Sequence, residues 1–480
     1  MLSALRAPDS CDVAVVGGGI TGLVLAYRLA KSGVDVRLLE AEDRVGGVIQ
    51  SEHCDGNLLE LGPFSVMLRS PEFQDLLDEL DLEPVTVDAG RSKRRFIQIG
   101  GELRLLPASI PGLLTSRLLS LRGRWDLFCS AVRDGRRTGG GTTTLHDLGS
   151  RRFGREFADR VVGPGTMGIF GAEAWELEAE SCLPNVNEHD LGQRTTLGLI
   201  QAMRRTAAGS PPRRLMSLEG GLQSMVDRLS DELEGSITTG TRVSRIVRNG
   251  AGYGVVHSDD RQLAASAIVL GVGPHDTARL VADIAPEASE LLEGIKVSGL
   301  GVVHLTFERS QVGRKLDGFG YLVPASERDM DPVLGVIWPG SVFPDHQAPG
   351  TATIRVMVGG TRWPLALSLD DRTLVDRCLD RVRAIHGITG EPSHVDVVRW
   401  PSSVPVYEPG HADRVRTILE SLSASPGLFM AGSWVCPPLG GIGVNDRVRH
   451  GCEVAAEVRD AVARLDARPR STTRSKRASA

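Results

Sequence analysis

The sequence predicts an α/β fold in which a parallel sheet, started near residue 12, is completed by a strand near residue 430. Three observations favour this fold: a β-branched run followed by a glycine-rich turn, a second short strand that ends in an acid, and a strand–loop–helix pattern that begins at Leu428. With 480 residues, the chain is long enough for two or three domains. Its net charge of −5 comes from mixed charges, so no nucleic-acid partner is predicted.

The first predicted strand, Asp12–Val16, leads into a glycine-rich loop with the spacing GxGxxG. A helix follows to residue 32, and the next strand ends in Glu40, where a carboxylate can accept a hydrogen bond from a ribose hydroxyl. Backbone N–H groups and the helix N-terminus of such a loop bind a diphosphate. The pattern predicts a Rossmann-type dinucleotide site at Gly17, Gly18, Gly19, Ile20, Thr21 and Gly22.

Two glycine turns follow Glu40, RVGG at 44–47 and ELGP at 60–63, and each of them alone could be an ordinary turn. The run EAEDRVGG resembles the FAD-binding extension of the flavin amine-oxidase superfamily. The resemblance implies that FAD is the cofactor and that Arg44 helps to hold its diphosphate. Phe64 departs from the family, which often has a polar residue or Arg there. The implied contacts to FAD in these turns are Gly47, Val48, Gly62, Pro63, Phe64 and Ser65.

The region after Leu428 resembles the strand, loop and helix that return to the first domain in the same superfamily. There the helix N-terminus points at the flavin's pyrimidine carbonyl, where charge develops on reduction. The strand RVSRI at 242–246 resembles one whose Val contacts adenine through its backbone. The resemblance adds five residues to the predicted cofactor site: Val243, Trp400, Ile442, Gly443 and Val444.

Six further blocks occur in the order found in the oxygen-dependent protoporphyrinogen and coproporphyrinogen oxidases, and the chain resembles that family from about residue 12 to 460. In the family, the Arg before an aromatic residue binds a substrate propionate, which implies this role for Arg95 beside Phe96. A solvated basic run is the alternative for Arg95. The blocks are residues 94–120, 168–184, 217–229, 318–324, 356–360 and 400–411.

The resemblance also implies where the apolar macrocycle of the family's substrate, a porphyrinogen, lies. It would sit between Leu322 and Met357, with Gly168 near its reacting edge and Phe319 as an aromatic wall. Packed core is the alternative for the three apolar side chains. Lys93 and Arg94 serve extra carboxylates or face water.

The implied reaction is FAD-dependent oxidation of protoporphyrinogen IX to protoporphyrin IX in haem biosynthesis, with six electrons passed to O2. Coproporphyrinogen III is the alternative substrate, and no side-chain base is predicted. An amine oxidase or polyene desaturase is disfavoured because residues 298–308 contain no Lys and only 4% of the chain is aromatic. A non-catalytic flavin-binding protein is a further alternative, and no metal site is predicted from the seven cysteines.

The predicted FAD-binding domain comprises 1–85, 215–275 and 395–460, and the predicted mixed-sheet substrate domain comprises 86–102, 185–214 and 276–394. A helical insertion, 103–184, resembles the family's membrane-facing part, with packed core as the alternative for its leucines. A basic tail, 461–480, is predicted to be disordered. We expect a cytoplasmic protein with peripheral contact to the inner face of the cell membrane; a homodimer is left open.

Overall fold

The computed structural model describes residues 9–87, 94–135, 142–208, 214–250, 252–327, 332–435 and 441–466. The predicted contact residue Lys93 and residues 436–440 of the loop before the last helix lie outside these ranges. The strands are β1 Asp9–Val16, β2 Val36–Leu39, β3 Ser51–Cys54, β4 Asn57–Glu60, β5 Val66–Leu68, β6 Pro84–Thr86, β7 Arg95–Ile99, β8 Glu102–Leu105, β9 Arg214–Leu218, β10 Ile237–Thr238, β11 Val243–Asn249, β12 Gly252–His257, β13 Gln262–Leu270, β14 Val297–Glu308, β15 Gly320–Leu322, β16 Val333–Ile337, β17 Thr351–Gly359, β18 His394–Pro405 and β19 Leu428–Met430.

Helices are concentrated between β8 and β9 and on the faces of the two large sheets. They are α1 Ile20–Lys31, α2 Pro71–Glu79, α3 Ile110–Thr115, α4 Leu121–Ser130, α5 Leu145–Phe153, α6 Arg155–Phe157, α7 Gly163–Phe170, α8 Ala179–Cys182, α9 Pro184–Gly192, α10 Thr196–Ala208, α11 Gln223–Glu232, α12 Pro274–Val281, α13 Pro286–Glu293, α14 Pro339–Val342, α15 Asp371–His386, α16 His411–Leu422 and α17 Val444–Asp466. A π-helical turn, Ala158–Val162, joins α6 to α7. The tail predicted from residue 461 starts later than expected, since α17 continues to Asp466; residues 467–480 lie outside the described ranges.

The first sheet has the strand order β10-β2-β1-β13-β12-β11, with β19 beside β13. β1 pairs in parallel with β2 and β13, and β13 pairs in parallel with β19. Successive β1 side chains serve two cores, as the period of a strand requires. Val13 and Val15 pack with α1 and α17, whereas Ala14 and Val16 pack with α12, α13 and α16. The predicted α/β class and the return of the strand at Leu428 are therefore confirmed.

The second sheet has the order β18-β14-β17-β16-β15-β7-β8 and is antiparallel apart from the β15–β7 pair. One face packs against α15 through Leu374, Cys378 and Val382. The other face meets the loop that follows β4. Strand β18 pairs with β14 in this sheet, so the first-domain segment predicted to start at residue 395 starts, by its hydrogen bonding, after Pro405.

Helices α3 to α10 form the unit between the sheets. Arg152 is buried and pairs with Asp190 of α9, and Thr196 of α10 donates to the Arg152 carbonyl at 2.7 Å. Residues 185–208, predicted as part of the substrate domain, therefore pack with the helical insertion.

Much of the start of the insertion is packed core. Leu113, Leu118 and Leu119 are buried beside Ile97 and Ile99 of β7, whereas Leu105 is 47% exposed. Within the described ranges, no helix is both long and apolar enough to span a bilayer.

Candidate cofactor and substrate site

The glycine loop after β1 is packed tightly on one side and open on the other. A Cβ on Gly22 would lie 2.1 Å from the Gly17 carbonyl oxygen, and Gly17 itself has a φ of +107°. A Cβ on Gly19 would meet no atom within 4 Å. Gly19 is also the N-cap of α1, and no side chain caps that helix. Ile20 and Thr21 are buried at its start. Because no side chain caps α1, the N–H groups of its first turn are available to a diphosphate.

Glu40 lies against this loop at the end of β2. The Gly18 N–H donates to its carboxylate at 2.6 Å, and the Glu42 N–H donates to the other oxygen at 2.9 Å. A Cβ on Gly18 would come within 3.0 Å of the Glu40 carboxylate. The carboxylate therefore sits beside the predicted diphosphate site, as a ribose acceptor must.

Val243 begins β11 beside the chain that follows Glu40. The Thr241 N–H donates to the Glu40 carbonyl at 2.8 Å, and Arg242 lies 3.7 Å from the Glu42 carboxylate. Val243 is half-buried. The structure thus brings the predicted adenine contact to the same end of the sheet as Glu40.

The RVGG turn forms a second layer against the glycine loop. The Gly46 N–H donates to the Gly18 carbonyl at 2.7 Å, and a Cβ on Gly47 would lie 3.4 Å from Gly19 Cα. The Arg44 guanidinium donates to the carbonyls of Val45 and Ile49 at 3.0 and 3.2 Å. Arg44 therefore shapes this turn, and its contact with the diphosphate stays a prediction.

The segment from Glu60 to Ser65 lies between the two sheets. A Cβ on Gly62 would come 1.7 Å from the Val48 carbonyl oxygen, so the chain has no room for a side chain there. Trp400, on β18, donates its indole N–H to the Leu61 carbonyl at 2.9 Å. Pro63 and Ser65 are half-buried on either side of Phe64, which is buried. The predicted flavin contacts of this segment are thus held in fixed backbone positions.

Two residues that fix this segment carry no motif and were not predicted from the sequence. Arg355 of β17 donates to the Glu60 carbonyl at 3.2 Å and also to the Gly62 carbonyl. The signal was a single charge in the apolar strand TATIRVMVG, at a position that shares a face with Met357.

Glu60 is the other missed residue. Its buried carboxyl accepts from the Ser51 hydroxyl at 2.8 Å and from the Leu222 N–H at 2.9 Å. Burial raises the pKa of Glu60 to about 7, although these donors and the charge of Arg355 lower it.

The loop that enters α17 completes the cofactor side. Arg447 donates to the carbonyls of Gly432 and, at 2.6 Å, Gly441. The Gly443 carbonyl accepts from the Asp446 N–H at 2.9 Å, which starts the helix beside Val444, buried in the first core. Ile442 packs against a separate cluster that includes Phe170 and Tyr407.

The substrate face is the side of the second sheet that looks toward Phe64. Leu322 pairs with Gly335, and Gly335 pairs with Met357. A Cβ on Gly335 would lie 2.9 Å from Leu322 Cδ2 and 3.3 Å from Met357 Cε, so the two side chains lie side by side. A Cβ on Gly168 of α7 would also come 2.9 Å from Leu322 Cδ2. The structure thus brings together three of the residues implied for the macrocycle.

Arg95 and Phe319 lie at the edge of this face. The Arg95 guanidinium is 5.0 Å from the centroid of the Phe319 ring, and that ring is 5.8 Å from Phe64 in an edge-to-face arrangement. Arg94 pairs with Asp317 at 2.7 Å. Among the described residues, Arg95 has no carboxylate partner, so its charge is available to an acidic ligand.

Phe96 is not part of this face. Because side chains alternate along β7, Phe96 points behind the sheet, where its ring lies 5.7 Å from Trp338 in the core between the second sheet and α15. Its implied role as a substrate contact is therefore corrected: it is a core residue.

The residues present fit a dinucleotide, because an uncapped helix N-terminus, open space at Gly19 and the Glu40 carboxylate converge at one end of the first sheet. The family model for flavin containing amine oxidoreductases matches residues 20–459. This chain belongs to that family. It is an FAD-dependent oxidoreductase, as the resemblance of the two glycine turns implied.

Among the described residues, no group of three or more His, Cys, Asp or Glu side chains is arranged to hold a metal ion.

Curated relatives align over almost the full chain. The coproporphyrinogen III oxidase of Propionibacterium freudenreichii subsp. freudenreichii is 30% identical, over 95% of this chain and 92% of the relative. The protoporphyrinogen oxidase of Bos taurus is 29% identical, over 93% and 98%. A solved structure from Exiguobacterium sp. 255-15 superposes with a TM-score of 0.80 at 23% identity, covering 94% of this chain and 99% of that one. This likeness confirms the fold.

Proposed function

We propose that this chain oxidises a porphyrinogen to the porphyrin in haem biosynthesis, removing six electrons at FAD and passing them to O2. One observation carries the proposal: an apolar face of Leu322, Gly335 and Met357 lies beside the flavin-binding segment and has the unpaired cation of Arg95 at its edge. A porphyrinogen is a broad apolar ring with carboxylate arms, and this arrangement matches both features. The names of the relatives from P. freudenreichii and B. taurus support it.

FAD, when bound, supplies the acceptor for hydride and the route of the electrons to O2. The side chains of this protein bind and orient the ring. Arg95 anchors a propionate, and the absence of a side chain at Gly168 lets α7 pack closely against Leu322. Phe64 and Phe319, packed edge to face, exclude water between the flavin segment and the substrate face.

Of the two porphyrinogens, we propose protoporphyrinogen IX as the substrate. Protoporphyrinogen has fewer carboxylate arms than coproporphyrinogen III, and the described edge of the site offers one unpaired cation, since Arg94 is neutralised by Asp317. Coproporphyrinogen III is the second candidate, because relatives named for its oxidation include both the P. freudenreichii protein and the 26% identical protein of Bacillus subtilis (strain 168).

Anaerobic mixing of the purified holoenzyme with each porphyrinogen separates these functions. We expect bleaching of the oxidised flavin band by at least one porphyrinogen, and, in air, porphyrin fluorescence with three peroxide molecules per porphyrin. The ratio of kcat/KM for the two substrates decides the finer assignment. Bleaching by an amine or a polyene but by neither porphyrinogen would show that the function is that of another member of the superfamily.

We also propose peripheral membrane contact through α4, which would place the enzyme next to a poorly soluble substrate. Its Leu127 is buried in the cluster against β7, which fixes the helix, while the opposite side is exposed. There the rings of Trp125 and Phe128 stack at 5.8 Å. The outward apolar stripe consists of Leu121 (81% exposed), Trp125 (65%) and Phe128 (58%) on α4, and Val132 (75%) in the turn after it.

Flotation with liposomes tests this contact. We expect the holoenzyme to float with vesicles and the Trp125→Ser/Phe128→Ser variant to stay in the soluble fraction, with unchanged FAD content. Leu365→Ser is the matched control, since Leu365 is 72% exposed but lies outside the stripe. Equal flotation of the stripe variant and the control would contradict membrane contact through α4.

A further inference from the structure

Arg355 is a buried cation in the middle of β17. It is 3% exposed and lies on the face that carries Met357. Its Nε donates to the Glu60 carbonyl at 3.2 Å, and its Nη2 donates to the Gly62 carbonyl. The guanidinium carbon is 5.9 Å from the centroid of the Phe64 ring. One side chain of the second sheet therefore contacts three points along the segment that belongs to the cofactor side.

Burying this charge is costly, because among the described residues no carboxylate lies within ion-pair distance of it. Burial lowers the pKa of Arg355 to about 10, and the nearby Glu60 offsets part of that effect. The planar guanidinium has its N–H donors in a rigid fork, which here reaches two carbonyls two residues apart. The desolvation of Arg355 is therefore offset in part by these hydrogen bonds, which fix the backbone between Glu60 and Gly62.

A neighbouring strand supports the same segment. Trp400 of β18 donates to the Leu61 carbonyl at 2.9 Å, so three consecutive carbonyls are bound by two side chains of the second sheet. On its other side, Gly62 packs directly against the Val48 carbonyl. The segment cannot shift in either direction without breaking a contact.

We propose that Arg355 is a positioning residue: by fixing the carbonyls of Glu60 and Gly62, it sets where the segment Gly62–Ser65 holds the flavin relative to Leu322 and Met357. The flavin part of this inference rests on family membership, and the part that concerns the substrate rests on the proposed function. Phe64 connects the two, because it packs in one cluster with Phe319 and Met357. A displaced Gly62 would therefore shift the flavin relative to the substrate face.

Arg355→Met tests the inference with a side chain of similar length and no donor. We expect the Kd for FAD to rise about tenfold or more, which corresponds to the loss of charge-assisted hydrogen bonds. The visible circular dichroism of the bound flavin should change as well. In single-turnover reduction by the porphyrinogen, the limiting rate should fall about tenfold while the dissociation constant of the porphyrinogen changes less than about threefold.

Arg399→Met is the matched control. Arg399 lies next to Trp400 in the same sheet but on the opposite face, where it donates to the Leu369 carbonyl at 2.8 Å and pairs with Asp371 at 2.6 Å. This variant should keep the wild-type Kd for FAD and the wild-type flavin spectrum. Arg355→Lys should lie between wild type and Arg355→Met, since an ammonium can hold one carbonyl.

Two measurements keep the inference falsifiable if Arg355→Met does not fold. Arg355→Lys and Trp400→Phe each remove part of the support, and each should raise the Kd for FAD and alter the visible circular dichroism. If both variants keep the wild-type Kd and the wild-type circular dichroism, the positioning role is overturned. These flavin measurements need no porphyrinogen, so they hold or fail separately from the proposed function, which fails if wild-type flavin is reduced by neither porphyrinogen.

Discussion

The cofactor end of the first sheet and the substrate face of the second are built from different parts of the chain. The first consists of backbone: glycines without room for a side chain, the uncapped N-terminus of α1 and carbonyls held in place. The second consists of side chains, with Leu322 beside Met357 and Arg95 above Phe319. A site made of backbone depends on residue spacing along the chain, whereas a site made of side chains depends on which face each residue takes in the sheet.

The sharpest test of the backbone side is Gly62→Ala. Its Cβ would overlap the Val48 carbonyl oxygen at 1.7 Å, so the backbone must move. We expect a loss of at least about 4 kcal/mol in the free energy of unfolding, with loss of bound FAD. Urea denaturation and the flavin absorbance of the purified protein measure both.

Gly19→Ala is the control for that prediction. It meets no atom of the protein and has a φ of −66°, which alanine adopts readily. Apo-protein stability should stay at the wild-type value while FAD binding weakens, because the methyl group points into the space where the diphosphate binds. Wild-type FAD affinity in this variant would contradict the proposed position of the diphosphate.

Glu60 lies at the junction of the two regions and gives a pH test. Its pKa is about 7 in the folded protein, above the ordinary 4.5. Its contribution to stability is therefore fully present below about pH 4.5 and is lost as the pH rises through 7, by up to about 3 kcal/mol. Glu60→Gln should remove this loss, so its free energy of unfolding should gain on that of wild type between pH 5 and pH 8.

Glu176→Gln should change the pH dependence of the free energy of unfolding in the opposite direction to Glu60→Gln. Although burial raises the pKa of Glu176, Lys296 and Thr361 donate to its carboxylate and hold the pKa below the usual value. That carboxylate stabilises the fold above pH 4.5, and the stability is lost as the pH falls through the lower folded-state pKa. Parallel pH profiles for the two variants would contradict the assigned environments.

Arg95→Ala tests the side-chain region. Loss of a charge-assisted contact worth about 1.5–3 kcal/mol should raise the apparent KM for the porphyrinogen about tenfold to a hundredfold with FAD content unchanged. Arg383→Ala is the control, because it removes an ion pair with Glu391 on the α15 side of the same sheet. An unaltered KM in Arg95→Ala would remove Arg95 from the site.

Phe96→Leu should give the smallest effect, and only on stability. Since Phe96 packs against Trp338 behind the sheet, we expect a loss of about 1 kcal/mol in the free energy of unfolding and a wild-type KM. A raised KM with unchanged stability would contradict the core position and indicate that Phe96 contacts the substrate.

The contrast between a site made of backbone and a site made of side chains also explains what could be predicted from the sequence. Gly17 through Gly22, Glu40 and the Leu428 strand were predictable because each pattern has one backbone solution, and the structure brings them together. Phe96 was misplaced because the family signature names neighbouring residues, while the pleat sends neighbours to opposite faces. Arg355 was missed because its partner Glu60 lies 295 residues away along the chain, and Glu60 was missed because its carboxyl is bound by Leu222, 162 residues away. The exposed stripe of α4 was missed for a related reason: only packing shows that Leu118 and Leu119 are covered while Trp125 is not.

The pairing of β1 with β13, and of β13 with β19, has a consequence for synthesis on the ribosome. Residues 9–16 have one parallel neighbour until residue 270 has been made, and the last of these strands arrives only at residue 430. At roughly 5–20 residues per second, synthesis from residue 16 to residue 270 takes about thirteen to fifty seconds. During that time one edge of β1 is unpaired, where a chaperone can bind, and the sheet beside the cofactor site is complete only after residue 430 has been made.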